Sequence, residues 1–406
     1  MADLDWLSTL ARFGRHLHAA AGDDHHVVSA LGAWMVVALC GGLAESDPVA
    51  GSELAEVLGA DPLAAAGFAE ALLARPQPLV SAGAGLWVRP HRETARLSKW
   101  RERLPDEVDT GDIPSEESLD RWVSDRTLGL IRRFPLTVKP EWVCLLASAL
   151  ATKVSWEVPF AVVGAAELGP HRWSGSLSRV LKTPSDPRHR QFLVDTPAAG
   201  PVAVHLASAR GGLLVGSVIA ADAAVPSGAV LAEAERIVTA EAARPGRTKR
   251  LSLFDLPLGK GPVWDLFEEA DAPAGSLETG ERFTSVLPAW SSRTELDLGA
   301  RPELGFEAAA AAIGRALELE KWDFDAGQSA VARYSAVGFE AAAVTALALA
   351  VAARMGPRNT PRRAVVHFRH PYGVVAASAN DPREPSPAAW HGLPVFSAWV
   401  GEAEDA

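Results

Sequence analysis

Histidine and carboxylate are the residue types whose clustering in this 406-residue chain could hold a metal: His16 and His18, followed by Asp23, Asp24, His25 and His26. Imidazoles and carboxylates bind a transition ion when three or four of them converge. Two histidines two residues apart on a helix point away from each other, and the rest of this set falls where the sequence reads as a loop, so no metal site is expected. Gly259-Lys260-Gly261 could offer backbone N–H groups and an ammonium to a phosphate. It lacks the preceding strand and following helix that give such loops their geometry, and it reads as a plain turn. Nucleophilic, nucleotide and zinc chemistry find no footing either: there is no G-x-S-x-G elbow, Walker loop, G-x-G-x-x-G fingerprint, H-E-x-x-H helix or C-x-x-C pair. The two cysteines, Cys40 and Cys144, each lie in an apolar run and read as buried thiols rather than a disulfide framework. Neither an enzyme nor a bound cofactor is expected.

Charge narrows the partners. Lys plus Arg number 39 against 50 Asp plus Glu, a net charge of −11 that phosphate backbones and anionic headgroups repel, so nucleic acid and membranes are not expected partners. The hydrophobic fraction of 48% and charged fraction of 22% are those of a globular chain with a packed core. No apolar stretch reaches the roughly 18 residues of a membrane span. Residues 1–5 carry neither the basic region nor the apolar core of a signal peptide. A cytoplasmic location is expected, with an extracellular role left open.

Hydrophobic spacing supplies the elements. Residues 4–20, 28–43, 52–58 and 62–73 have helical periodicity, 79–88 is compatible with a strand, and 118–134 returns to helical spacing. The run 142–153 is long and apolar, and 202–221 reads as two strands about a Gly211-Gly212 turn. A charged helix near 232–243 follows, then strand candidates at 284–298, 330–335, 363–368, 374–379 and 395–400. No repeat or long linker interrupts them, which favours an α+β body in a single domain, 1–406.

Several segments carry a family pattern. Residues 119–131 resemble the serpin motif N-x-W-V-x-x-x-T-x-G-x-I through Trp122, Val123, Thr127, Gly129 and Ile131. Residues 146–160 resemble L-V-N-A-x-Y-F-K-G-x-W-x-x-P-F, with Lys153, Trp156, Pro159 and Phe160 in register. Residues 26–32 are similar to N-x-x-x-S-P-x-S, 53–59 to Q-L-x-x-x-L-G, 202–221 to the paired central strands, and 368–372 to F-x-x-P-F. The chain is identified by resemblance as a divergent, bacterial-type serpin. That implies a helical bundle packed on a large mixed central sheet with smaller sheets, an exposed reactive-centre loop at about 338–362, and a monomer.

Gly338-Phe339-Glu340-Ala341-Ala342-Ala343-Val344-Thr345 resembles the proximal hinge G-T-E-A-A-A-A-T. Propensity alone would make 340–354 a helix. With period two, Phe339, Ala341, Ala343 and Thr345 share one face while Glu340, Ala342 and Val344 share the other. The resemblance implies a suicide inhibitor: a serine protease cleaves the loop, and the freed segment enters the central sheet and carries the acylated enzyme with it. A dozen inserted residues would form about ten ladder hydrogen bonds at roughly 0.5 to 1.5 kcal/mol net each.

Departures from the pattern bear on that expectation. Phe339 stands where the family carries a small residue, and added bulk in a preformed core costs on the order of 1 to 3 kcal/mol, which would slow insertion. In the shutter, Ala30 and Gly32 replace proline and serine, Ser148 replaces asparagine and Gln328 replaces histidine; Ser29, Ser148 and Gln328 are expected to form a smaller polar network, with Trp156 in the breach above. Counting from the hinge places the scissile bond at Ala352-Ala353, and counting back from Phe368 places it near Asn359-Thr360, with Arg354-Met355 between. Arginine would suit a trypsin-like or subtilisin-like protease and alanine an elastase-like one. The alternative is a non-inhibitory serpin-fold binding or scaffold protein whose loop is only a substrate.

Overall fold

The computed structural model describes residues 5–173, 175–268, 280–339, 361–380 and 387–406. Its helices start where side chains can accept the orphan N–H groups of a first turn. Among the described residues they are α1 (Trp6–Ala21), α2 (Ala30–Leu39), α3 (Pro48–Leu58), α4 (Pro62–Ala74), α5 (Ala95–Arg101), α6 (Glu116–Arg126), α7 (Ser227–Ala243) and α8 (Phe306–Ala316). Asp5, Ser29, Asp47, Asp61, Thr94 and Ser115 cap the first six. Pro48 and Pro62 follow their caps directly, where the missing N–H costs nothing. None of the described helices is by itself long and apolar enough to cross a membrane.

Three sheet assemblies take up the strands. An antiparallel sheet runs in the order β1 (His26–Val28), β19 (Pro394–Val400), β18 (Tyr372–Ser378), β10 (Leu213–Ala220), β9 (Gly200–Ala209) and β8 (His189–Thr196). Its central strands are buried on both faces, so they read as continuous apolar runs. Val204, Leu206, Leu214, Val218 and Val375 pack on α7 through Val230, Ala234, Ile237 and Val238. The alternate residues Ala203, Ala207, Leu213, Val215 and Val374 face the main core. A second sheet has the order β11 (Gly259–Lys260), β12 (Trp264–Glu268), β17 (Arg362–His367), β13 (Glu281–Leu287), β7 (Arg179–Lys182) and β6 (Ala161–Gly164), with β13 and β17 parallel. The third assembly is forked. One limb is β3 (Val108–Gly111), β2 (Val80–Val88) and β4 (Cys144–Thr152); the other is β14 (Trp290–Asp297), β15 (Gly327–Tyr334), β16 (Gly338–Phe339) and β5 (Val154–Ser155). Only Lys153 separates β4 from β5, so the two limbs are joined at the top of one sheet and no ladder links β4 to β15 among the described residues.

Five local expectations are corrected. The helical spacing over 118–134 stops at Arg126: the Thr127 hydroxyl donates to Val123 O at 2.6 Å and accepts Ile131 N–H at 3.0 Å, and Leu128 and Gly129 take positive φ. Val28 belongs to β1, with α2 beginning beyond its Ser29 cap. The run 284–298 is two strands, because Pro288 has no N–H to continue a ladder. Of the presumed histidine loop, His26 is in a strand. Gly259 and Lys260 form a short edge strand whose turn closes through Gly261 N–H to Trp264 O at 2.8 Å.

Candidate functional site

Gly338 and Phe339 are already strand. Phe339 pairs with Tyr334 on one side and Val154 on the other, and Gly338 pairs with Ser155, antiparallel throughout. One row of side chains therefore crosses four strands: Trp290 opposite Tyr334, Tyr334 opposite Phe339, Phe339 opposite Val154, all buried. Phe339 meets Trp290 edge to face with ring centres 6.3 Å apart. The turn feeding β16 is clamped from both sides. Ser335 N–H donates to Gly338 O at 3.0 Å, Trp156 N–H to Val337 O at 3.2 Å, and Phe160 N–H to Ala336 O at 2.9 Å. The Trp156 indole N–H adds a bond to Ser335 O at 2.9 Å. Phe339, whose bulk is expected to slow insertion, sits in a seat formed by Trp290, Tyr334 and Val154.

Below β16 no described strand lies between β4 and β15. A cavity of about 100 Å³ lies between Ser148, Ala149 and Leu150 of β4 and Gly327, Gln328 and Ser329 of β15, with the start of α2 as its inner wall. The three polar residues expected here are brought together around that helix end. Gln328 clasps the Ser29 backbone with both amide atoms, Oε1 accepting the N–H at 3.1 Å and Nε2 donating to the carbonyl at 2.9 Å. Ser29 Oγ donates to Val395 O at 2.9 Å and accepts Gly32 N–H at 3.1 Å. Ser148 joins through the backbone only, its hydroxyl donating to Gly32 O at 2.6 Å. On the outer face, α6 covers β2 and β4 with Leu119, Trp122 and Val123 against Trp87, Leu145, Ala147 and Ala149.

Titratable groups around the site are held neutral by burial. His189 and His205 lie side by side on β8 and β9, stacked at 5.4 Å, and both are pushed below the usual imidazole range, chiefly by desolvation. Burial pushes the Cys144 thiol up to about 12, and that of Cys40 higher still. Both cysteines are free. Of the histidine cluster, His18 Nδ1 and His26 Nε2 are 2.7 Å apart and His18 Nε2 reaches Ser397 Oγ at 2.7 Å. Among the described residues no group of three or more His, Cys, Asp or Glu side chains could hold a metal.

Ser29, Ser148, Trp156, Gln328, Gly338 and Phe339 are thus placed around one slot. The remaining hinge residues, Glu340, Ala341, Ala342, Ala343, Val344 and Thr345, and the scissile-bond candidates, Ala352, Ala353, Arg354 and Met355, lie outside the described residues. Sequence reasoning missed Trp290, Tyr334 and Val154, which form the seat of Phe339. They come from three distant segments, and only a correct pairing of β14, β15, β16 and β5 would have revealed them.

No protein-family model matches the sequence, and no curated protein matches it. Solved structures do. Human kallistatin is 16% identical with a TM-score of 0.64, over 98% of this chain and 96% of its own. The native state of the thermophilic serpin Tengpin is 12% identical at 0.63, over 99% and 95%. The chain has the serpin fold. Human thyroxine-binding globulin complexed with thyroxine shares it too, at 13% identity and a TM-score of 0.62 over 98% of both chains. The forked assembly corresponds to the large central sheet of that fold, with β16 between the two limbs.

Proposed function

We propose that this serpin-fold protein is a suicide inhibitor of a serine protease and not itself an enzyme. The protease serine would attack a carbonyl in the segment after Phe339, forming an ester and releasing the new amino terminus. The freed segment would continue β16 downward between β4 and β15, displacing the bound enzyme before water cleaves the ester. The observation that carries this reading is the pair Gly338 and Phe339, hydrogen-bonded between β15 and β5 directly above a slot that no strand fills among the described residues. Arg354-Met355 is the favoured scissile bond, pointing to a trypsin-like or subtilisin-like enzyme, and Ala352-Ala353 would indicate an elastase-like one. Incubation with one protease of each type should yield an SDS-stable complex with at least one; cleavage without complex across all three sinks the reading.

A second reading is favoured by the seated Phe339. A hinge already packed on Trp290 could serve as a closed plug, making the protein a binding or scaffold module with a cleavable loop. A thyroxine complex among the neighbours shows that a protein of this fold can carry a small ligand. Mass spectrometry of the fragment released by the panel locates the bond under either reading.

A further inference from the structure

The hinge clamp leans on a pair of histidines that the inhibitory reading does not use. His189 Nε2 is 2.7 Å from Val158 O, and a carbonyl can only accept, so this nitrogen carries the proton. Nδ1 of the neutral ring is then an acceptor, and His205 Nε2, 3.1 Å away, must donate to it. That leaves His205 Nδ1 as a bare, buried lone pair without a hydrogen-bond partner. The tautomers are fixed, and the arrangement has no place for an added proton. On His189 Nδ1 a proton would meet the N–H of His205 head on; on His205 Nδ1 it would put an unpaired cation in the core.

The pair connects to the hinge through one ring. Phe160 meets His189 edge to face at 4.7 Å and His205 at 5.5 Å. The same ring lies 5.7 Å from Tyr334 and 5.8 Å from Trp156. Its backbone N–H holds Ala336 O, and the carbonyl bonded by His189 belongs to Val158, two residues earlier. Among the described residues no unengaged carboxylate faces the pair. The carboxylate acting on His189 is Asp186, which is engaged by Arg188, as is Glu157. Gln191 and Ser217, opposite His205 on either side, are neutral, and so are the buried Tyr334 and Tyr372.

We infer that the His189–His205 pair is an acid-operated latch: proton uptake from solvent leaves an unpaired imidazolium beside Phe160 or, at His189 Nδ1, breaks the bond between the two rings, and either event displaces Phe160 and frees the 335–338 turn and β16 from β5. The latch acts on the uncleaved molecule and stands whether or not the chain inhibits a protease. Both groups are depressed by burial, so the opening falls below pH 6.5.

Hydrogen exchange of the full chain tests it, followed between pH 7.5 and 4.5 and corrected for intrinsic rates. Protection at the Trp156 and Phe160 amides should fall below pH 6.5, by up to about 100-fold per pH unit for uptake of two protons or about tenfold for one, while β18 amides at Val374 and Val375 stay protected. His189→Gln with His205→Gln should flatten the profile. If the double variant does not fold, His205→Gln alone, which keeps a donor to His189, should reduce the two-proton slope to one at most. Hinge protection independent of pH, a wild-type slope retained in the variants, or simultaneous loss at β18 overturns the inference.

Discussion

Glu235 is the buried carboxyl with most influence on how stability should depend on pH. It projects from α7 toward Gly14 of α1, and burial, opposed by the charge of Arg15, raises it from the usual 4.5 to about 7. The folded state thus binds a proton that the unfolded chain releases between pH 4.5 and 7, and stability from this group falls as pH rises through that window. Glu235→Gln should stabilise the protein by about 3 kcal/mol at pH 8 and by almost nothing at pH 4.5, read as the denaturation midpoint at the two pH values. An equal effect at both would mean that the carboxyl is not held neutral. His18, pushed down to about 3 by burial and then by His26, carries the opposite sign: its contribution is complete above pH 6.5 and is lost on acidification below it. The sequence displayed this histidine cluster but not its use. Ser397, which fixes His18, is 379 residues away, and no local spacing announces such a partner.

Among elements, the two residues of β16 matter out of proportion to their length. They join the limbs of the fork, and Phe339 supplies their buried anchor. Phe339→Ala should destabilise the uncleaved protein by about 3 to 5 kcal/mol, the range for emptying an aromatic site in a core, unless the hinge simply leaves the sheet. Near-ultraviolet circular dichroism separates the cases: loss of the Trp290 and Tyr334 signal without a fall in melting temperature would mean that the seat is dispensable. Elements with strong local signals were legible. The 202–221 hairpin turns at Gly211 and Gly212, both with positive φ as a tight hairpin demands, and the helical periods of 4–20 and 62–73 lie on α1 and α4. Where tertiary contacts decide, the signal failed. α6 loses its last predicted turns to the Thr127 hydroxyl, and β16 is too short to show any period.

At the scale of the molecule, the fork defines what loop cleavage should do. Filling the slot between β4 and β15 would add ladder bonds to both limbs, so the cleaved protein should melt at a markedly higher temperature than the intact one. A calorimetric scan before and after limited proteolysis measures this, and an unchanged transition would leave the protein as a module with a substrate loop. The serpin fold itself was legible from motifs spread over the chain, because each marks a position where packing tolerates few shapes: Trp156 in the breach, Trp122 under its strands, Ser29 at the head of α2. The slot was not legible, since an opening is set by which strands fail to pair.

The row formed by Trp290, Tyr334, Phe339 and Val154 also settles a question of phase. A strand that nucleates on its own can slip by one residue and turn every side chain over. With Phe339 locked inward beside Tyr334, a strand that continued β16 would inherit its parity, and insertion as proposed would turn Ala341, Ala343 and Thr345 to the interior and Glu340 to the opposite side. A one-residue deletion just after Phe339 would therefore send the wrong half of the ribbon into the core while leaving the hinge intact.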